Sequence, residues 1–276
     1  MKAKRADVLL METLGVESIE LARALIMEGR VMRGDRKILR ASETLPADAV
    51  LRIRGELDHY VSRGAYKLKR ALEVFHINLG DKICMDVGAS TGGFTDVMLR
   101  AGAARVYSVD VGYNLLDYKL RSDPRVTSME RTNARFLRAE DFSPRPEFGA
   151  TDVSFISLKA VLPAALGALA GEGRRFVALV KPQFEALKED VGSKGVVRER
   201  RVHEAVLNDM VDFIPSLGWC AQGLDYSPIR GPEGNIEFLL DLVPKQNAAK
   251  NVDSARISAT IDAAYEKILK SPNQHL

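Results

Sequence analysis

The stretch Cys84-Met-Asp-Val-Gly-Ala-Ser-Thr-Gly-Gly-Phe94 decides the fold, because an apolar strand pattern runs directly into a glycine-rich turn and then into a helical pattern. It predicts a strand that ends at Val87 and a helix that begins near Thr91–Phe94. Glycines suit such a turn because a Cβ would collide with a ligand that lies across the carboxyl ends of the strands. The stretch therefore predicts a binding site at the edge of a parallel sheet.

From Ile83 onward, strand-like segments alternate with helical patterns. The predicted strands are Ile83–Val87, Arg105–Val109, Val126–Met129, Thr151–Val153, Phe176–Val180 and Phe238–Leu242, with one more within Trp219–Ser227. Such alternation predicts an α/β fold in which a mostly parallel sheet carries helices on both faces. A last helical pattern, at Ser254–Leu269, predicts a helix in the C-terminal tail.

The first 54 residues have a different pattern, with two short helical segments followed by small strands. They hold 11 Lys+Arg against 8 Asp+Glu, and the rest of the chain holds 29 against 29, so the net charge of +3 lies in this segment. A basic segment suggests an anionic polymer as partner, although charge alone favours the interpretation as an ordinary solvated surface. We expect a small α+β domain at 1–54, a linker at 55–61, a larger domain at 62–246 and a tail at 247–276.

Two acidic residues at strand ends indicate what the glycine-rich turn binds. Asp86 lies at the end of the first strand, where a carboxylate can engage a ligand ammonium group directly or through water. Asp110 follows 24 residues later, at the end of the next strand, where it can accept hydrogen bonds from two ribose hydroxyls. Ser90 occupies the place of the second glycine of a dinucleotide fingerprint, and an acidic residue before the turn would repel phosphates. The pattern favours S-adenosylmethionine over a nicotinamide dinucleotide.

Four charged residues interrupt or end apolar segments, namely Lys67, Asp152, Lys181 and Glu237. Charged side chains at the ends of buried strands are costly unless they are paired, so each needs an explanation. A structural ion-pair network is one interpretation, and it is the better one for Glu237 alone. Asp152 and Lys181 together, above a glycine-rich turn, favour a functional site because the carboxyl ends of parallel strands meet at one edge.

Five motifs carry a resemblance to the TlyA family of rRNA methyltransferases, sometimes labelled hemolysin A, whose catalytic half is similar to the FtsJ (RrmJ) type. The motifs are Ser62-Arg-Gly-Ala-Tyr-Lys-Leu68, Asp86-Val-Gly-Ala-Ser-Thr-Gly-Gly-Phe94, Met129-Glu-Arg-Thr-Asn-Ala-Arg135, Asp152-Val-Ser-Phe-Ile-Ser157 and Leu179-Val-Lys-Pro-Gln-Phe-Glu185. The first 54 residues resemble the small RNA-binding domain named after ribosomal protein S-four. The resemblance implies a Rossmann-like methyltransferase that transfers a methyl group from S-adenosylmethionine to a ribose 2′-hydroxyl of rRNA, at a cytidine.

The resemblance also implies roles for individual residues. Lys67, Asp152, Lys181 and Glu237 match the family's catalytic tetrad, with Lys181 as the candidate base and a nearby Lys67 ammonium favouring its neutral form. Asp110 corresponds to the ribose contact, and Asn133 to an adenine contact, where FtsJ-type enzymes carry an acidic residue. The expected cofactor-binding set is completed by Asp86, Gly88, Ala89, Ser90, Gly92, Gly93 and Phe94.

The basic residues that we expect to hold RNA phosphates are mostly in the N-terminal segment. They are Arg5, Arg23, Arg30, Arg33, Arg36 and Lys37, with Arg63 in the larger domain. For Arg63, an ordinary surface arginine is an equally good interpretation. The expected partners are ribosomal RNA or ribosomal subunits, with no obligate protein partner.

Composition excludes several other classes of protein. The two cysteines are too few for a disulfide framework or a zinc site, so we expect no metal and a reducing, cytoplasmic location. We see neither an export signal nor an apolar stretch that would cross a bilayer, which disfavours a membrane-active hemolysin. A non-catalytic RNA-binding or ribosome-assembly factor is the other alternative, and the intact turn and tetrad disfavour it.

Overall fold

The structure, a computed structural model, describes residues 3–16, 19–54, 60–248 and 251–269. Most of the predicted linker (55–59) and the end of the predicted tail (270–276) lie outside the described residues. The chain divides into two compact units, Met1–His59 and Tyr60–Gln274.

The N-terminal unit packs two helices against short strands. Its elements are β1 (Lys4–Arg5), α1 (Ala6–Leu14), α2 (Ile19–Met27), β2 (Val31–Arg33), β3 (Arg36–Lys37), β4 (Thr44–Leu45) and β5 (Arg52–Ile53). Strand β1 pairs with β4, and β2 lies between β3 and β5, with all pairs antiparallel. Buried Leu9, Leu10, Ile26 and Ile38 form its core. This small core holds together the helices and strands that carry the arginines of the unit.

The larger unit is built on a seven-stranded sheet, whose strands are β6 (Ile83–Val87), β7 (Arg105–Val109), β8 (Val126–Met129), β9 (Phe148–Thr151), β10 (Arg175–Val180), β11 (Trp219–Tyr226) and β12 (Phe238–Pro244). The order is β11-β12-β10-β9-β6-β7-β8. The strands from β10 to β8 are parallel, and β11 and β12 are antiparallel. The predicted mostly parallel sheet is confirmed.

One predicted strand was wrong in position. The strand expected at Thr151–Val153 is β9, Phe148–Thr151, and Asp152 follows its last residue. Small residues obscured the pattern, because Gly149 lies against the ring of Phe176, where a Cβ would come within 2.5 Å of ring carbons. A glycine therefore occupies a buried strand position that an apolar side chain would normally mark.

Helices cover both faces of this sheet and enclose two apolar cores. They are α3 (Ala65–Val74), α4 (Gly93–Arg100), α5 (Tyr118–Arg121), α6 (Leu158–Ala168), α7 (Pro182–Glu185), α8 (Arg200–Phe213) and α9 (Ser254–Ala264). One core includes buried residues of α6, α8 and α9, and the other includes residues of α3 and α4. The arrangement is the predicted Rossmann-like fold, and α9 begins at the residue predicted for the tail helix. Among the described residues, no helix has the length and apolar content needed to cross a membrane.

A buried histidine joins α8 to the segment that follows α9. His203 Nδ1 lies 2.9 Å from the Tyr265 hydroxyl, which donates to the carbonyl oxygen of Arg198. Burial lowers the pKa of His203 to about 4. In the unfolded chain an ordinary histidine titrates near pH 6.5, so the unfolded state takes up a proton first as the pH falls.

We expect this histidine to make the larger unit less stable in mild acid. Its contribution is fully present above about pH 6.5 and is lost as the pH falls toward about 4, at a cost of about 2 kcal/mol between pH 7 and pH 5. Urea unfolding of the wild type and His203→Gln at both pH values measures this difference. An equal pH dependence in the two proteins would contradict the assignment.

Candidate functional site

The four charged residues singled out in the sequence meet at one edge of the sheet, here called the carboxyl edge, where the parallel strands end. Asp152 follows β9 and Lys181 follows β10. Glu237 precedes β12, which runs antiparallel to β10 with Phe238 opposite Val180, so it reaches the same edge. Lys67 lies in the first turn of α3, whose N-terminus is at this edge because the helix runs back to the start of β6.

The four side chains form a continuous series of ion pairs, Glu237–Lys67–Asp152–Lys181. Lys67 Nζ lies 2.7 Å from Glu237 Oε2 and 3.2 Å from Asp152 Oδ2. Lys181 Nζ lies 2.5 Å from the other oxygen of Asp152. Each lysine is therefore held by Asp152, and Lys67 is also anchored by Glu237, which is fully buried.

Burial and pairing act in opposite directions on these groups. Burial disfavours the charged form of Lys67, but Glu237 and Asp152 outweigh it and raise the pKa of Lys67. Burial likewise opposes the charge of Asp152, yet the two lysines lower the pKa of Asp152. For Glu237 burial prevails over Lys67, so the pKa of Glu237 is raised. Asp152 is thus the firmly ionised centre of the series.

Two residues that the sequence did not single out hold this arrangement. Lys181 Nζ donates to Ser154 Oγ at 2.9 Å. Glu185 Oε1 accepts from the Leu158 backbone N–H at 2.7 Å and Glu185 Oε2 from the Ser157 hydroxyl at 2.6 Å, which ties the loop after β9 to α7. Both residues lie within motifs quoted above, so the sequence signal was their proximity to Asp152 and Lys181.

The glycine-rich turn lies beside the ion-pair series, and its glycines lie close to other parts of the chain. A Cβ on Gly88 would lie 2.7 Å from the Asp152 carbonyl oxygen, and one on Gly93 would lie 2.3 Å from Ser62 Oγ and 3.0 Å from Ala65 N. At Gly92 a Cβ would meet Leu120 and Leu116, and both Gly88 and Gly92 have positive φ. These glycines therefore make room for the protein's own chain.

A cavity of about 290 Å³ joins the turn to the ion-pair series. Its lining includes Asp86, Gly88, Ala89, Ser90, Gly93 and Phe94 from the predicted cofactor set, together with Lys67, Asp152 and Lys181. Arg63 and Arg230 lie at the same cavity. Six expected cofactor residues and three of the four charged residues therefore share one space, while Glu237 lies buried behind Lys67.

Asp86 is a buried carboxylate with an unused oxygen. Its Oδ2 accepts from the backbone N–H and the hydroxyl of Thr95, at 2.8 and 2.7 Å. Its Oδ1 has no hydrogen-bond partner among the described residues. Burial raises the pKa of Asp86 to about 7, and nearby Asp152 and Asp110 add to this rise while Thr95 opposes it. The free oxygen is available to a cationic ligand group.

Asp110 and Asn133 do not line that cavity, but Asp110 contacts Ser90, which does. Asp110 lines a narrow space of about 10 Å³ with Ser90, Leu115 and Glu130. Its two oxygens accept from the backbone N–H groups of Ser90 and Gly112 at 2.8 and 2.7 Å, which leaves lone pairs for ribose hydroxyls. Asn133 Oδ1 accepts from the Arg135 backbone N–H at 3.1 Å.

The basic residues of the N-terminal unit are not equivalent. Asp7 is fully buried, and its carboxylate accepts hydrogen bonds from Arg5 Nη2 at 2.7 Å and Arg23 Nε at 3.1 Å. The same carboxylate therefore holds both arginines. The Arg5 hydrogen bond lowers the pKa of Asp7 to about 2, with burial opposing it. Arg30 is mostly buried and donates to the Arg54 carbonyl at 3.1 Å. Arg36 pairs with Glu43, whereas Arg33 and Lys37 are exposed.

Comparisons with known proteins agree with this geometry. The FtsJ-like methyltransferase family matches residues 60–243. YqxC of Bacillus subtilis, which is named as a candidate rRNA methyltransferase, is 48% identical to this chain. The match covers 87% of this chain and 86% of YqxC. The 16S/23S rRNA (cytidine-2′-O)-methyltransferase TlyA of Mycobacterium tuberculosis is 43% identical over 77% of each chain. The solved structure of a candidate hemolysin from Streptococcus thermophilus superposes with a TM-score of 0.76 at 43% identity, over 98% of each chain.

Proposed function

Because this chain belongs to the FtsJ-like methyltransferase family, we propose that it methylates a ribose 2′-hydroxyl of ribosomal RNA with S-adenosylmethionine as the methyl donor. The observation that carries the proposal is the ion-pair series Glu237–Lys67–Asp152–Lys181 at the cavity of the glycine-rich turn. Cytidine is the proposed nucleoside, because relatives 43% and 37% identical to this chain are named for it.

The residues around the cavity suit S-adenosylmethionine. The unpartnered Asp86 Oδ1 would receive the ammonium of its amino-acid moiety, and Asp110 would accept from its ribose hydroxyls. Asn133 remains the proposed adenine contact. When bound, the cofactor supplies a methyl group made electrophilic by the neighbouring sulfonium. The protein must then position a hydroxyl and remove its proton.

Lys181 is the proposed base. In its neutral form, its amine would accept the proton of the 2′-hydroxyl, so that the ribose oxygen could take the methyl group that bound S-adenosylmethionine would supply. Asp152 and Ser154 hold the amine in place. Lys67, anchored by Glu237, fixes the other oxygen of Asp152.

Methyl transfer to purified ribosomal subunits tests the function. The protein, radiolabelled S-adenosylmethionine and subunits from a strain that lacks this protein should give labelled rRNA, and alkaline hydrolysis should leave the labelled nucleotide joined to its 3′ neighbour. Hydrolysis fails there because the 2′-oxygen is blocked. Label on a base, or no label at all, would contradict the proposal. Leakage from liposomes would instead support the hemolysin alternative, which no geometry described here favours.

Cofactor binding should depend on pH through Asp86. A ligand ammonium favours the ionised carboxylate, so the group gives up a proton on binding, and affinity should rise about tenfold from pH 6 to pH 8. The pKa near 7 sets this window. Calorimetric titration with S-adenosylhomocysteine, in two buffers of different ionisation enthalpy, measures both the affinity and the proton released.

Two controls isolate the role of Asp86. Asp86→Asn should bind more weakly, with no pH dependence in this window. 5′-Methylthioadenosine, which lacks the amino-acid moiety, should show none with the wild type. A pH dependence that persists in Asp86→Asn would assign the proton to another group.

The N-terminal unit is proposed to bind rRNA phosphates through the arginines on Asp7. We expect Arg5→Ala and Arg23→Ala each to weaken RNA binding and to lower the slope of log affinity against log salt by about 1. Arg52→Ala is the control, because Arg52 is an exposed arginine of the same unit that donates to the Gly34 carbonyl at 3.1 Å. Equal slopes in all variants would contradict this assignment. With ribosomal RNA as the proposed substrate, the cytoplasm is the proposed location.

A further inference from the structure

In the part of the larger unit that the structure describes, the exposed large apolar side chains lie in segments that follow the carboxyl ends of the parallel strands. Four lie between β7 and the first residue of α5, at 111, 113, 115 and 118, and Phe136, Phe155 and Leu187 follow β8, β9 and β10. Exposed apolar surface gathered on one side of a protein indicates a contact with another molecule.

Next to this edge, an arginine is stacked on a tyrosine. The guanidinium carbon of Arg131 lies 4.4 Å from the ring centroid of Tyr113, whose residue is 63% exposed. The loops that carry them are joined, because the Arg131 N–H donates to the Gly112 carbonyl at 3.0 Å and the Asn114 N–H donates to Glu130 at 2.9 Å. The ring is therefore presented from a fixed backbone.

A second pair of the same kind follows along the chain. The Arg135 guanidinium lies 5.3 Å from the ring centroid of Phe136, which is 69% exposed. Ala134 and Leu137, on either side of this pair, pack against the core of the larger unit, so the backbone here is anchored while the ring faces outward. Neither Arg131 nor Arg135 forms an ion pair within the part of the chain that the structure describes.

We propose that these four residues, the aromatic–arginine platform (Tyr113, Arg131, Arg135 and Phe136), stack unpaired RNA bases next to the methylated nucleotide. This inference rests on the proposed function. Aromatic rings and guanidinium planes hold single-stranded bases by stacking, and free arginine charge favours the phosphates between them. A protein partner would more commonly pair such arginines with carboxylates, and RNA is the proposed polymeric substrate at this edge.

The position of the platform fits a neighbour of the target nucleotide rather than the target itself. The platform follows β7 and β8, on the far side of β6 and its glycine-rich turn from β9, β10 and β12, which carry most of the ion-pair series. Three strand spacings separate β8 from β9, or roughly 14 Å along the edge from Asp152. An extended RNA strand leaving the reaction cavity across the turn would meet Tyr113 and Phe136.

Binding of protein-free rRNA that contains the methylated site tests the platform. Tyr113→Ala and Phe136→Ala should each bind this RNA about 5- to 50-fold more weakly, and methyl transfer should show a raised KM with kcat near wild type. Tyr113→Phe should bind like wild type, because the ring is kept. Arg174→Ala is the matched control, since Arg174 stacks on Trp219 at 5.7 Å at the opposite edge of the sheet.

The possible outcomes separate the two proposals. If the wild type methylates rRNA but Tyr113→Ala and Phe136→Ala bind it normally, the platform is wrong and the proposed function stands. If these variants lose affinity for whole ribosomal subunits but not for protein-free rRNA, the partner is a ribosomal protein, which also overturns the platform. A wild type that binds RNA through these rings but transfers no methyl group overturns the proposed function and leaves the stacking surface supported.

Discussion

Lys181→Ala should lower the single-turnover rate of methyl transfer by about 10³-fold while the Kd for S-adenosylhomocysteine stays near the wild-type value. The expected loss of rate follows from the usual contribution of a positioned base to catalysis, about 10²–10⁴-fold. Cofactor affinity should survive because the ammonium and ribose contacts proposed for Asp86 and Asp110 do not involve this lysine. Rapid-quench measurements with saturating cofactor and rRNA give the rate of the chemical step.

Lys181→Arg distinguishes a base from a fixed positive charge. Arginine can keep the ion pair with Asp152 but does not lose its proton at any ordinary pH. It should therefore be as inactive as the alanine variant. Lys159→Ala is the surface control, since Lys159 pairs with Asp209 on the outside of the unit. Activity restored by arginine would show that Lys181 acts through its charge alone.

Asp152→Asn should reduce the rate by about 10²- to 10³-fold, because it neutralises the carboxylate that both lysines contact. The side chain keeps its size, so the loop after β9 should keep its path. Because Asp152 acts by positioning the Lys181 amine, we expect the effects of the two substitutions on the rate to be strongly non-additive. The double variant with Lys181→Ala should then be hardly slower than Lys181→Ala alone.

Asp209→Asn is the matched control for this carboxylate, because it neutralises one partner of an exposed lysine–aspartate pair. Circular dichroism and cofactor affinity of Asp152→Asn show whether its fold is intact. Rate losses that multiply in the double variant would mean that Asp152 and Lys181 act separately.

The sequence predicted the sheet well where each strand carries an unbroken apolar run. β6, β7 and β8 have the expected bounds, and β10 differs by one residue at its start. It failed at β9, where Gly149 lies against Phe176 and the apolar signal shifts toward Val153. The register of a strand beside a large neighbouring ring depends on a tertiary contact, which local pattern does not contain.

The sequence predicted which charged residues meet at the candidate site, but not which of them contact one another. Asp152 and Lys181 follow adjacent strands, so the edge of a parallel sheet brings them together. Glu237 forms the ion pair that the structural interpretation expected for it, but its partner, Lys67, lies far away in the sequence. The sequence also did not show that Arg5 and Arg23 differ from Arg30 in sharing one ion-pair partner, because that partner is the buried Asp7.

The close approach of Gly93 to Ser62 and Ala65 has a consequence for enzyme engineering. A donor with an alkyl group larger than methyl would need more room in the cavity. Here a larger residue at Gly88 or Gly93 would displace the strand end that bears Asp152 or the helix that bears Lys67, before it altered the room for a donor. A variant library should leave these glycines unchanged and vary Ser90 and Thr91, which line the cavity with exposed side chains.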